Sequence, residues 1–143
     1  MLHIELQPAR EFMGRFEKDD DLLASLTAFC REQNIKQGVF NLIGAVQNAY
    51  LGYYDQEKQA YTTSIHLDQK LEITACMGNI SIKDGEIMVH AHITLSDYDG
   101  KAYGGHLCPE TSVFAAEFHI RELIGEQLVR GKDPKTGLPL WTR

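Results

Sequence analysis

Three histidines carry the most specific chemical signal in the chain, in Val89-His90-Ala91-His92 and Gly104-Gly105-His106-Leu107. Neutral imidazole nitrogens are preferred donors for zinc and neighbouring divalent transition metals. Three such donors with a fourth position left open form a catalytic or ligand-binding centre, whereas a structural zinc is closed by four protein ligands. The first pair lies in an alternating stretch: Ile87, Val89, Ala91, Ile93 and Leu95 are apolar, with Met88, His90, His92 and Thr94 between them. That pattern predicts a strand with both imidazoles on one face. Residues two apart on a strand are about 6.5–7 Å apart, so both rings can lean onto one ion at Zn–N distances of about 2.0–2.1 Å. His106 follows a Gly-Gly pair, where the missing Cβ lets the chain turn back closely against its neighbour.

The elements around these residues must bring them together. Residues 97–101 (Asp-Tyr-Asp-Gly-Lys) have turn composition, so residues 103–107 can return antiparallel to the His90–His92 strand. A turn centred near residues 96–99 would set His106 across from roughly His90. Lys83-Asp84-Gly85-Glu86 reads as a hairpin turn joining this strand to an alternating one that starts at Leu71. Further strands are predicted at residues 2–6, 11–17, 38–47, 49–54, 61–67 and 114–121, with a helix the alternative for the last. One helix is expected, at residues 20–33. There Leu22, Leu23, Leu26, Phe29 and Cys30 share a stripe, and Asp19-Asp20-Asp21 supplies the N-cap. The sum is an α+β fold: a mainly antiparallel, strongly curved sheet with one principal helix near the N-terminus. Pro134, Gly137 and Pro139 predict an irregular tail, so the reading is a single domain over residues 1–131 and a tail over 132–143.

Composition narrows the function. At 143 residues, 43% hydrophobic and 24% charged, the chain has the size and make-up of one globular domain. No apolar run reaches the ~20 residues of a membrane span, and no secretory signal pattern is present. Cys30, Cys76 and Cys108 have no metal-type spacing and read as reduced thiols, which points to the cytoplasm. A net charge of −6 disfavours binding to phosphate backbones. The one basic cluster, Arg130, Lys132, Lys135 and Arg143, reads as a solvated C-terminus.

Glu72 and Glu117 each stand on the polar side of an otherwise apolar strand. Either could orient a ligating imidazole or act as a base on metal-bound water, which makes them the candidate catalytic residues. Their alternative is an exposed strand carboxylate. Cys108 could add a thiolate and close the centre, although Pro109 interrupts the strand that would carry it there. Asp97 and Asp99 read as turn residues, and His3, His66 and His119 have no comparable grouping. There is no phosphate loop, no dinucleotide-binding glycine pattern and no nucleophile elbow.

Several segments, in order from about residue 10 to about residue 122, resemble the plants-and-prokaryotes-conserved (PPC) domain family in its stand-alone prokaryotic form. They are Gly38-Val39-Phe40-Asn41-Leu42-Ile43-Gly44-Ala45-Val46, Leu51-Gly52-Tyr53-Tyr54-Asp55, Leu71-Glu72-Ile73, Gly78-Asn79-Ile80-Ser81, and the two histidine segments. The resemblance implies an α+β fold, usually a homotrimer, and a metal-binding histidine cluster at His90, His92 and His106. Family members are commonly described as DNA-binding, but the Arg-Gly-Arg-Pro hook of the plant members is missing here. The histidine pattern is also similar to that of acetolactate decarboxylase, whose three histidines hold zinc. Two functions are therefore expected to compete. One is a cytoplasmic, trimeric binding or regulatory module whose zinc either stabilises the oligomer or captures a small anionic ligand, with DNA as the ligand implied by family. The other is a metal-dependent enzyme, lyase- or hydrolase-like, acting on a small oxo- or hydroxy-acid.

Overall fold

A computed structural model describes residues 1–142, and the side chains of all of these except Thr63 and Ser64. The fold is α+β. Its elements are β1 (Leu6–Arg15), α1 (Leu22–Glu32), β2 (Gly38–Val46), β3 (Ala49–Asp55), β4 (Ala60–Leu67), β5 (Leu71–Lys83), β6 (Glu86–Ser96), β7 (Ala102–Leu107), β8 (Val113–Gly125), β9 (Val129–Lys132) and β10 (Pro139–Thr142). Eight strands run in the order β1-β8-β2-β5-β6-β7-β3-β4, with every neighbouring pair antiparallel. Register shifts interrupt β1, β2, β3 and β5; an extra residue at such a point bends and twists the strand.

The helix starts where an aspartate can cap it. Asp21 Oδ1 accepts the Ala24 N–H at 2.7 Å, and Asp21 Oδ2 accepts the Glu110 N–H, tying the cap to the segment after β7. It stops at Asn34, which adopts a left-handed φ of 53°, while Ile35 N–H returns to Cys30 C=O at 2.8 Å. Leu22, Leu26 and Cys30 are fully buried. They meet a sheet face made by Leu42, Cys76, Ile80, Ala91, Ile93, Leu95 and Ile120, so this face and α1 form the core.

The histidines lie on the opposite face. Cross-strand partners share a face, and one rung can be followed across six strands: Met13, His119, Asn41, Met77, His92, His106. The next rung runs Glu11, Arg121, Val39, Asn79, His90.

Two local predictions are corrected. The strand expected at residues 2–6 is not formed, residues 2–5 lying outside any strand, and the one expected at 11–17 is β1, which runs from Leu6 to Arg15 with a register shift between Pro8 and Glu11; β1 is an edge strand, where a proline removes no ladder bond. The strand expected at residues 114–121 is present, as part of the longer β8. The expected irregular tail instead folds as a β9–β10 hairpin, and β9 runs parallel to the end of β5 with Ile82 opposite Val129. Arg130, read as part of a solvated basic tail, is 8% exposed.

Candidate metal centre

Alternation along β6 sends Val89, Ala91 and Ile93 into the core and leaves His90 and His92 on the other face. The β6–β7 turn returns the third ring. Asp97 Oδ1 accepts the N–H groups of Asp99 and Lys101 at 3.0 and 2.9 Å, and Asp97 Oδ2 accepts the Tyr103 hydroxyl at 2.9 Å. That cap fixes Ser96 opposite Ala102, and the ladder then sets His106 opposite His92, two residues away from the position expected opposite His90. The glycines before His106 do not make the turn. Gly104 and Gly105 sit inside β7, where a Cβ on Gly105 would come within 3.0 Å of the Gly52 carbonyl oxygen of β3.

The three rings converge. Their centroids are 5.2 Å (His90–His92), 5.0 Å (His90–His106) and 5.5 Å (His92–His106) apart, and one nitrogen from each lies within 4.8 Å of the others. His90 Nε2 and His106 Nδ1 are buried and have no hydrogen-bond partner among the described residues. A buried, unpaired ring nitrogen is costly unless something else satisfies it. Burial, helped by the neighbouring rings and by Arg130, pushes His90 down to about 4. Burial, with His92 nearby, also lowers His106. Both rings are neutral near pH 7, the state in which imidazole donates to a metal. The donor set therefore fits a divalent transition metal: His90, His92 and His106 would hold it, and the ion would supply a Lewis-acidic centre with an open position.

The other candidates fall elsewhere. Glu72 pairs with Ser96 on β6, four residues or about 13 Å along the strand from His92. Glu117 lies on β8, three strands or about 14 Å from β6. Both line a separate groove with Arg15, Lys18, Ile43 and Phe114. Neither is positioned to touch an imidazole or a ligand held there. The Cys108 thiol turns to the His106 carbonyl at 3.7 Å and is not one of the converging donors. His66 stacks on Tyr50 at 4.1 Å, and His119 pairs with Glu11 at 3.2 Å.

Four flanking residues, Tyr61, Asn79, Arg130 and Trp141, were not singled out for this site from the sequence. The Tyr61 ring stands 4.9 Å from His106. On the other side, His90 shares an open pocket with Asn79, Arg130 and Trp141. Asn79 is the direct cross-strand partner of His90 and accepts a hydrogen bond from Arg130 Nη2 at 2.7 Å. The one available signal was indirect: Asn79 and Ser81, which both bind Arg130, stand in the resembling segment Gly78-Asn79-Ile80-Ser81.

Among the described residues no helix is long and apolar enough to cross a membrane. Comparison with known proteins places this geometry in a family. A metal-containing protein from Archaeoglobus fulgidus is 38% identical, with each chain covered completely and a TM-score of 0.94. A plant- and prokaryote-conserved protein from Pyrococcus horikoshii is 36% identical over 100% of this chain and 98% of that one, TM-score 0.92. A protein from Bacteroides thetaiotaomicron, provisionally described as DNA-binding, is 26% identical over 96% of each chain, TM-score 0.85. Two curated relatives from Synechococcus strains, described as bifunctional protein GlmU, are 33% and 32% identical over 90% and 94% of this chain, which spans only about a fifth of their length. The family model for the Plants and Prokaryotes Conserved domain, abbreviated PCC or PPC, matches residues 3–124, and the chain belongs to that family.

Proposed function

We propose that this PPC-domain protein is a cytoplasmic binding or regulatory module that holds one divalent transition metal, zinc first, at His90, His92 and His106. The ion's open position captures a small anionic ligand. The observation that carries this reading is the convergence of three ring nitrogens within 4.8 Å, two of the rings each having a buried nitrogen with no hydrogen-bond partner among the described residues. The metal content of the relative from Archaeoglobus fulgidus supports it. Residues His90 and His106 stand ready as neutral donors, and the Asp97-capped turn holds the β7 ring against the β6 pair.

The proposal includes a homotrimer. Its support is the histidine-bearing face, which leaves Met13 86%, Met77 62%, Ile43 59% and Val39 44% exposed; apolar side chains in that number on one sheet face favour self-association. Light scattering coupled to gel filtration should give three chains per particle, and a monomer at micromolar concentration would remove this part.

Elemental analysis of purified protein tests the metal. The wild type should carry close to one zinc per chain after equilibration with zinc and desalting, and His92→Ala should retain less than a tenth of that. Equal content in the two proteins would reject the site.

DNA is the second reading, favoured by the description of the Bacteroides thetaiotaomicron neighbour. It predicts a mobility shift that weakens steeply with salt. The net charge of −6 opposes it, and no shift even at low salt would eliminate it.

A further inference from the structure

Arg130 is a buried cation without a counter-ion. It is 8% exposed, and among the described residues no carboxylate lies within ion-pair distance of it. Its three hydrogen bonds go to neutral acceptors: Nε to Ser81 Oγ at 2.8 Å, Nη1 to the Pro139 carbonyl at 2.8 Å, and Nη2 to Asn79 Oδ1 at 2.7 Å. A guanidinium has five N–H groups, so one on each terminal nitrogen has no acceptor among the described residues. The Trp141 ring packs against it, centroid at 5.4 Å, which shields the charge further from water. Burying a charge with only neutral partners is unfavourable, and the arrangement makes sense if an anion completes it.

The place where an anion would sit is the histidine site. Arg130 and His90 line one pocket, with Asn79 between them on the sheet. Leu2, Leu140 and Trp141 make up the rest of that pocket, so it offers one positive anchor, the His90 imidazole and an apolar wall. A dianion such as phosphate would place unpaired charge against the apolar side. A carboxylate on a short carbon chain matches all three surfaces, and a planar carboxylate is the shape a guanidinium fork recognises.

We infer that Arg130 is the anion-receiving residue of the histidine site, and that its ligand is a small carboxylate on a short carbon chain whose carboxyl group pairs with the guanidinium on the His90 side of the site. This assignment rests on the metal reading above. It names the residue that selects the ligand and the ligand's chemical class.

Cobalt(II) replaces zinc in nitrogen sites and reports its coordination by visible absorption, which gives a readout independent of catalysis. Cobalt-loaded wild type and Arg130→Gln are each titrated with pyruvate and with imidazole, a neutral metal ligand. The expected result is pyruvate binding weakened about tenfold or more in Arg130→Gln, the loss of a charged hydrogen-bond pair, with cobalt uptake and imidazole affinity changed less than about twofold. Arg130 also ties the tail to β5, so Arg130→Lys serves if the glutamine variant fails to fold. It keeps the charge without the fork, and pyruvate should weaken severalfold while imidazole again does not. Equal pyruvate affinity in wild type and variant, parallel losses for pyruvate and imidazole, or no pyruvate response in cobalt-loaded wild type would each overturn the role of Arg130 and leave the metal centre standing. Failure of the wild type to take up cobalt would overturn both.

Discussion

Gly78→Ala tests the packing that positions the site. Gly78 lies on β5 between β2 and β6, opposite Phe40 on one side and Ala91 on the other. An added Cβ would sit 1.9 Å from the His90 carbonyl oxygen and 2.7 Å from Phe40 Cζ. Real Cβ contacts essentially never fall below 3.0 Å, so β6 must yield by about 1.1 Å, the difference between 3.0 and 1.9. Phe40 is 4% exposed and belongs to the buried core. Overpacking costs about 1–3 kcal/mol, and since the clash is with backbone, loss of one or two ladder bonds adds about 1 kcal/mol each; the total is about 2–5 kcal/mol. With an unfolding entropy of about 0.3 kcal/mol/K for 143 residues, that lowers Tm by about 7 °C or more. Urea unfolding of the metal-free protein, followed by circular dichroism, measures it. Gly104→Ala is the control: its Cβ would stand 3.2 Å from the Ile93 carbonyl oxygen, and the cost should stay within about 1 kcal/mol. A Gly78→Ala protein within about 0.5 kcal/mol of wild type would refute the register and the close β5–β6 approach behind it. Because the clash falls on the peptide of His90, zinc affinity should fall with stability.

Other expectations follow from the same geometry. The unfolded-state pKa of histidine is about 6.5, whereas burial holds His90 at about 4 in the fold. The unfolded chain therefore takes the proton first, and His90's contribution, present above about pH 6.5, is lost as pH falls toward 4. The urea midpoint of metal-free wild type should drop between pH 7 and 5, more than in His90→Gln; identical slopes would contradict the burial of that ring. Asp21→Ala removes the cap on Ala24 and the tie to Glu110 and should cost about 1–2 kcal/mol in urea unfolding; a neutral result would mean that the helix start is held by packing alone. Burial pushes the Cys30 and Cys76 thiols up to about 12, so an aromatic disulfide reagent at pH 8 should leave both untouched until urea is added. Labelling of more than one thiol in the native protein would contradict this.

Much of the site was legible because its periodicities are short. Period-two alternation put His90 and His92 together on one face, and Asp84-Gly85 marked the β5–β6 hairpin, where both residues adopt positive φ (52° and 82°). Asn34 marked the end of α1 for the same reason. Register was less legible: Asp97 caps a loop that sets Ser96 against Ala102, and this side-chain detail moved His106 from His90 to His92. Nothing local shows whether a carboxylate on a polar strand face reaches a distant strand. Glu72 and Glu117 share a groove with each other and not with the imidazoles. The tail misled most. Proline and glycine marked the turn between β9 and β10 and hid the strands on either side, so Arg130 read as solvated charge. Its burial depends on Ser81 and Asn79, some 50 residues earlier, and on Trp141 beyond the turn.

The most direct test of the metal centre is anomalous diffraction at the zinc edge from crystals grown with zinc. The geometry predicts one strong peak per chain between His90, His92 and His106, about 2.0–2.1 Å from one nitrogen of each ring. Density that leaves those rings turned apart or bonded to separate protein acceptors, with zinc at some other place or at none, would contradict it.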